Sequence, residues 1–440
     1  MANTYLTRTQ GSGNRQIFTQ SFWCKVCDTS STQSLGGAFN DSNNYNYCYL
    51  DGGNLKLQWK QSGSVTATLD TNRKFSDTSS FYNIVYAVDT TQATASNRIK
   101  LYINGVQETS FSTATYPSLN RYTEVNDNGT TYNIGSASSG QNFNGIMSYV
   151  AFVDGTQELP GIFGETDSTT GEWKIKTSIT PSVAWGTNGY LILKNGNSVT
   201  DQSGNANNFT VGGGTLTNTE DNPSNVFATL NPLDNFYANH TFSNGNNSIT
   251  TPTSTYSYNT STLAASAGKF YYEVKVVTLA VDTTIGIAGN TSTGTTYWLG
   301  VSGNVYGYSY TQAGSIYNNG SAVATGYATY TAGDIISIAF DLTNNKFYSG
   351  KNGTWNNSAN PSSGTGGISI TAASSTTMGA YSPAVGEWSG DAGAYDTNFG
   401  NGFFGTTAIS SEGTNASGIG KFEYDVPTGY TALSTKGLNE

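Results

Sequence analysis

The chain has 440 residues, enough for two or three domains with cores of their own. Only 11% of residues are charged while 13% are aromatic, and the net charge is −10. Without clustered Lys and Arg a duplex nucleic-acid partner is not expected. The supply of large apolar groups argues against disorder, and no apolar run approaches the roughly 18 residues of a membrane span.

In chain order, the first segment, "MANTYLTRTQGSG", carries no apolar stretch of the secretory type. From Ser21 onward short apolar runs alternate with Gly, Asn and Ser. "SFWCKV", "YNYCYLD", "NLKLQWK", "SVTATLD", "YNIVYAVD", "RIKLYIN" and "IMSYVAFVD" read as strands. No long stretch shows a helical period. Cys24 and Cys27 have CxxC spacing but sit in a strand, where i and i+3 point to opposite faces. Buried structural thiols are therefore expected, with Cys24 and Cys48 on one sheet face.

The loop "AFNDSNNYNY" offers Asp41, Asn43 and Asn44 as oxygen ligands for Ca²⁺. One Asp among neutral neighbours makes a poor site. An Asx turn capping its own backbone is the favoured alternative, and no cofactor is expected. In "RIKLYINGVQET", Ile99, Leu101 and Ile103 share a face, with Arg98, Lys100 and Tyr102 on the other. One buried face and one wet face follow. Asn104-Gly105 supplies the positive φ of a two-residue hairpin.

Asn104-Gly105 is followed by Ile134-Gly135, by Phe143 and Gly145, and by an apolar strand from Ile146 to Val153. This order resembles the laminin-G-like, concanavalin-like lectin sandwich over roughly residues 15–155. The resemblance implies an antiparallel sandwich whose rim loops bind sugar or Ca²⁺.

Residues 158–225 read as a Gly/Asn-rich connecting segment that can pack on the first domain. "GYLILK" is one strand in it, "TDQSGNANNFT" a polar turn and "VGGG" a flexible hinge. The run from Asp201 through "DNPSNVFATLNPLDN" resembles a junction in structural proteins of marine tailed bacteriophages.

"AGKFYYEVKVV" opens the second domain. Phe270, Tyr272, Val274 and Val276 alternate with Tyr271, Glu273, Lys275 and Val277. The succession Gly268, Lys269, Tyr271, Tyr272, Glu273, then Gly286-Ile287, Gly333-Asp334, and Lys351-Asn352-Gly353 resembles the SPRY domain over roughly residues 240–435. That resemblance implies a bent β-sandwich used for protein recognition. The second Asn-Gly corner reads as shared turn chemistry rather than a duplication, because the surrounding strand order differs.

The expected fold is thus all-β, with two antiparallel, jelly-roll-like sandwiches at residues 1–157 and 226–440. Glu158, Glu165, Asp167 and Glu172 cluster, as do Glu387, Asp391 and Asp396, in loops where solvated acids are the ordinary reading. His240 has no nucleophile motif beside it and GxSxG is absent, so no enzyme is expected. Binding is expected instead, through the loop aromatics Tyr297, Trp298, Tyr310, Tyr317, Trp355 and Trp388. For Trp298 and Trp388 the competing reading is sandwich core.

The resemblances imply a bacteriophage virion protein, of tail fibre, spike or head, made in the host cytoplasm. Its expected partners are other virion proteins and host-surface polysaccharide or protein, with no nucleic acid and no membrane insertion. A homo-oligomer such as a trimer fits that setting. A purely structural capsid decoration or tail scaffold is the alternative, and a polysaccharide-degrading enzyme stands behind it.

Overall fold

The computed structural model describes residues 4–137 and 140–439, to which all counts refer. The protein is all-β, and its helical pieces there are short 3-10 turns. It divides into two compact units, Met1–Asn218 with Asn222–Ser224, and Thr219–Asp221 with Asn225–Glu440.

The first unit holds β1 Tyr5–Thr9, β2 Ile17–Val26, β3 Gln33–Asp41, β4 Asn44–Asp51, β5 Asn54–Gln61, β6 Ser64–Lys74, β7 Phe81–Asp89 and β8 Ile99–Ile103. It continues with β9 Val106–Glu108, β10 Phe111–Thr115, β11 Thr131–Ile134, β12 Gly145–Asp154, β13 Gly164–Thr166, β14 Trp173–Ile175, β15 Tyr190–Ile192 and β16 Thr210–Gly213. An eight-stranded sheet in the order β10-β6-β5-β4-β3-β11-β1-β16 faces a six-stranded sheet in the order β15-β12-β2-β7-β8-β9. Alternation drives this arrangement. Cys48 and Leu50, Leu55, Leu57 and Trp59, and Ala67 and Leu69 all point from one sheet into the core, where they meet Phe18, Phe22, Ile84 and Val88 of the other.

Three expectations are corrected. Cys24 and Cys48 share the core but come from opposite sheets, β2 and β4, so they face one another across the sandwich. The second face of β8 is not wet. Tyr102 is 6% exposed and packs with Val85, Ala87, Ala151 and Val153 beneath Phe163 and Ile179. The stretch after residue 158 therefore covers that sheet. "VGGG" is no hinge either. Thr210–Gly213 is β16, antiparallel to β1, and a Cβ on Gly212 would stand 2.3 Å from the Tyr5 ring. Pairing satisfies an edge that would otherwise leave ladder groups open.

The second unit holds β17 Thr241–Ser243, β18 Ser248–Thr250, β19 Ser257–Thr260, β20 Lys269–Thr278, β21 Thr283–Ala288, β22 Gly307–Thr311, β23 Ser315–Asn318 and β24 Ser321–Ala324. Then come β25 Ile335–Asp341, β26 Lys346–Lys351, β27 Thr354–Trp355, β28 Ile368–Ser369, β29 Ser382–Glu387, β30 Ala394–Asn398, β31 Phe403–Phe404, β32 Thr407–Ala408 and β33 Thr431–Ala432. A nine-stranded sheet is built around β20, β25 and β30, and a six-stranded sheet runs β19-β29-β21-β22-β23-β24. Phe270, Tyr272, Val274 and Val276 point into the core with Ile336, Ile338 and Phe340. On the far side of β20, Tyr271 lies among Phe422, Val426 and Tyr430, so both faces of this strand are buried.

The two Asn-Gly corners have the same geometry. Asn104 and Gly105 have φ of 48° and 79°, and so do Asn352 and Gly353. In each, the Asn side chain accepts a backbone N–H from the neighbouring strand, Asn83 in the first and Ile335 in the second, at 2.8 Å. The strand orders around them differ, so the likeness belongs to the turn.

Candidate functional site

The outer face of the second unit's six-stranded sheet is roofed by the loop between β21 and β22. Leu299 anchors this loop on Tyr258, Ala288 and Ala384, with Tyr297 packed alongside. Gly300 crosses close to the sheet at a φ of 103°, where a Cβ would be 3.1 Å from both Ser309 Oγ and the Cβ of Tyr317. This close approach brings Trp298 down onto two other predicted residues. Tyr317 stands on β23 opposite Ser309, and Trp388 follows the last residue of β29, its N–H held by the Asp282 carbonyl at 3.0 Å.

The rings of Trp298 and Trp388 meet edge to face at 4.1 Å and 88°. Tyr317 closes the cluster at 5.6 Å and 70° from Trp298, and at 5.1 Å and 70° from Trp388. Trp298 is 9% exposed, while Tyr317 and Trp388 are half-buried. Rings this close leave no slot between them for a ligand. What they offer is the outward surface of Trp388 and Tyr317, an apolar plane with polar edges. Beneath the sheet surface the hydroxyls of Thr284 and Ser309 are buried without a hydrogen-bond partner.

The chain segments that build this region carry acids but no Lys or Arg. No Lys or Arg occurs between Lys275 and Lys346 or between Lys351 and Lys421, whereas Asp282, Glu387 and Asp391 all lie in those stretches. Glu387 is buried, and burial raises its pKa despite the Gly390 and Ser389 N–H groups on its carboxylate.

The other predicted binding residues lie elsewhere. Tyr297 sits beside the cluster, its hydroxyl bonded to Asn290 and to the Gly303 carbonyl, each at 3.2 Å. Tyr310 is not a loop residue. It points from β22 into the core, fully buried, with its hydroxyl donated to the Ala328 carbonyl. Trp355 packs edge-on to Tyr271 at 6.2 Å on the outer face of the other sheet.

Asp41, Asn43 and Asn44 do come together, but the side-chain oxygens of Asp41 and Asn44 are engaged. Asp41 accepts the Asn43 N–H at 2.7 Å and the Asn44 amide at 3.0 Å, and Asn44 accepts the Ser62 N–H at 2.9 Å. These bonds, led by the Asn43 N–H, hold the Asp41 carboxyl below its ordinary pKa. The turn caps itself. Among the described residues no three His, Cys, Asp or Glu are grouped to hold a metal.

The acids of the first cluster make local contacts. Glu158, expected to be solvated, is buried and accepts the N–H and hydroxyl of Ser182, both at 2.8 Å. Glu165 and Asp167 pair with Lys174 on the β13–β14 hairpin. His240 Nε2 meets Ser257 Oγ at 3.2 Å, but both are buried and Nδ1 has no partner. The orienting acid of a nucleophile triad is missing.

Residues 1–158 match the family described as the concanavalin A-like lectin/glucanases superfamily, Laminin_G_3. The N-terminal unit carries a lectin-like domain. This match ends at residue 158, while the compact unit continues to Asn218 and includes the segment that covers its six-stranded sheet. The SPRY domain of human HERC1 is similar at 16% identity and a TM-score of 0.29, covering 38% of this chain and 96% of that one. A heptameric SAP-like pentraxin from Limulus polyphemus is similar at 14% identity and a TM-score of 0.27, covering 34% and 69%. Neither likeness carries an argument about function. No curated protein matches the chain.

The fixing parts of the site escaped the sequence reading. Leu299 and Gly300 look like ordinary loop residues, and only their contact with the sheet shows that they set the height of Trp298.

Proposed function

We propose that the protein is a non-catalytic binding protein displayed on a bacteriophage virion, on tail or head, that contacts host-surface glycan or protein. The observation that carries this reading is the convergence of Trp298, Tyr317 and Trp388 from three chain segments onto one outer sheet face, with two of the rings half exposed. Such rings are suited to sugar C–H faces or to a partner's apolar anchor. The lectin-like N-terminal domain supports the same class of activity. The resemblance of the run from Asp201 through Asn235 to a junction in structural proteins of marine tailed bacteriophages supports the virion setting, with other virion proteins as neighbours. Assembly as a homo-oligomer such as a trimer would let weak sites act together.

The test is retention. Protein multimerised on beads is offered to a glycan panel and to candidate host cells. Wild type should be retained, and Trp388→Ala should lower retention by about fivefold or more. A multimerised wild type that holds neither glycan nor cell would end this reading.

A further inference from the structure

The chain carries nine Asn-Gly pairs. Each holds the atoms for one reaction, attack of the glycine amide nitrogen on the side-chain carbonyl carbon of the asparagine before it. Closing that five-membered ring needs the nitrogen turned toward the side chain, an amide free of other bonds, and room to move. Glycine, with no Cβ, crowds the attack least. The fold denies at least one of these conditions to eight of the nine pairs.

Four of the eight are corner residues. Asn104, Asn244, Asn319 and Asn352 have φ of 48°, 52°, 49° and 48°. The left-handed region carries a ψ of about +47°, which turns the following nitrogen away from the residue's own side chain. The side-chain oxygens of Asn104, Asn319 and Asn352 also accept the N–H groups of Asn83, Gly303 and Ile335, each at 2.8 Å. After Asn128 the Gly129 N–H is donated to the Gln10 carbonyl at 3.0 Å. After Asn401 the Gly402 N–H is donated to Asn398 Oδ1 at 3.1 Å. Asn188 is buried, its amide donating to the Gly11 carbonyl at 2.7 Å and its oxygen accepting the Gly11 N–H at 3.0 Å. Asn144 is pinned through its main chain, with its N–H on Gln33 Oε1 at 2.8 Å and its carbonyl on the Cys27 N–H at 3.0 Å.

Asn195-Gly196 escapes all of these restraints. Both residues are exposed in the loop after β15, and Asn195 is outside the left-handed region. Among the described residues the Gly196 N–H meets no acceptor, and the Asn195 side chain is tied only through its amide, to Gln202 Oε1 at 3.3 Å. We propose that Asn195 is a site of spontaneous deamidation in the folded protein, with water as the co-reactant. The Gly196 amide gives its proton to hydroxide, and its nitrogen bonds to Cγ of Asn195. The bond from Cγ to the side-chain nitrogen breaks, and that nitrogen leaves as ammonia with a proton taken from water, which restores the hydroxide. Water then opens the ring at either carbonyl. One opening gives aspartate, and the other gives isoaspartate with the main chain rerouted through the side chain. Either product adds a negative charge and ends the amide donation to Gln202.

The test is peptide mapping by mass spectrometry of the full chain, held folded in mildly alkaline buffer and sampled over time, with the same protein in denaturant alongside. In the folded sample Asn195 should convert faster than each of the other eight asparagines by about tenfold or more. In denaturant that preference should disappear, because the corners and bonds that protect the others are gone. Water labelled with heavy oxygen should leave its label in the new carboxylate, and fragmentation should find isoaspartate beside aspartate. Asn195→Gln should remove the first acidic species that isoelectric focusing resolves as the folded protein ages. An Asn195 that stays intact in the folded protein while it converts in denaturant, or nine pairs that convert at one rate in the folded protein, would overturn the proposal.

Discussion

The indole of Trp173 lies on Gly105, so closely that a Cβ added to the glycine would stand 2.4 Å from the ring. The same indole donates its N–H to Asn83 Oδ1 at 3.1 Å, and the Asn83 N–H is in turn held by Asn104. The hairpin inside the lectin-like domain is thereby locked to a strand that lies beyond the family match. The second corner repeats the device with another residue, since a Cβ on Gly353 would stand 2.7 Å from the Tyr424 ring.

Gly105→Ala should therefore cost more than its positive φ alone. The left-handed backbone accounts for about 1–2 kcal/mol, and displacing the indole should raise the total to about 2–4 kcal/mol. Chemical denaturation reads this directly. In the Trp173→Ala background the same glycine substitution should cost only the backbone part. An unchanged cost there would show that the ring contact contributes nothing.

The turn asparagines do two jobs, and substitution separates them. Asn352→Gly keeps the positive φ but loses the bond to the Ile335 N–H and the bond to Asp334 Oδ1. It should lower stability by about 1 kcal/mol. Asn352→Ala loses the bonds and strains the backbone as well, and should cost about 1 kcal/mol more. The order of the two denaturation midpoints checks the assignment.

Glu273 ties the C-terminal segment to β20. Its carboxylate accepts the N–H groups of Glu423 and Tyr424 at 2.9 Å, the Tyr271 hydroxyl at 2.9 Å and the Asn398 amide at 3.2 Å. Glu273→Gln points an amide N–H at one of these donors and should cost about 2–4 kcal/mol, measured as a lowered unfolding midpoint.

Two buried groups give stability opposite pH slopes. Burial raises Glu273 from 4.5 to about 7, so the folded state holds a proton that the unfolded chain has released. Its contribution falls as pH rises through that window, by up to about 3 kcal/mol. Burial lowers His240 from 6.5 to about 4, so the unfolded chain is the one that binds the proton. Its contribution is complete above pH 6.5 and is lost as pH falls toward 4. These two contributions partly offset each other across this range. His240→Gln should expose a fall with rising pH, and Glu273→Gln should expose a rise. Midpoints measured at closely spaced pH values would show parallel curves if neither group titrates in this way.

Trp298 and Trp388 should separate stability from binding. Trp298→Ala removes a nearly buried ring and should cost about 3–5 kcal/mol. Trp388→Ala, at a half-buried position, should cost less and show its main effect in ligand retention.

Cys24 and Cys48 should resist thiol reagents in the native protein. Both are fully buried, and burial pushes both pKa values up. Labelling should appear only with global unfolding. Fast labelling under native conditions would place at least one of them at a mobile surface.

The strands themselves were legible. "YNYCYLD", "NLKLQWK" and "IISIAFDL" announce their inward faces by period two, and the Asn-Gly pairs announce their corners. The limits of that reading appear at Tyr102 and at "VGGG". Alternation says that a face can be dry or wet, but a distant segment decides which. In β8 residues from beyond position 158 cover the face that looked wet. In "VGGG" the open edge of β1 recruits residues whose composition promised freedom.

The candidate sites divide along the same line. Tyr317 and Trp388 could be named as aromatics near loops, but Tyr310, similar in sequence context, is core because its strand position points inward. Phe39, Tyr45 and Tyr47 fall in "AFNDSNNYNY", a stretch whose composition reads as a polar loop but which forms the ends of β3 and β4. Their near-parallel stacking is a relation between β3 and β4.

Composition and local pattern by themselves determined that this chain is all-β and where it turns, because backbone propensity and side-chain period act over a few residues. Which sheet faces are covered, and which aromatics become core, roof or open surface, was decided only in the tertiary structure. Burial is a property of what packs above a residue. In this protein what packs above, from Trp173 over Gly105 to Phe163 over β7, comes from about 70 residues away or more along the chain.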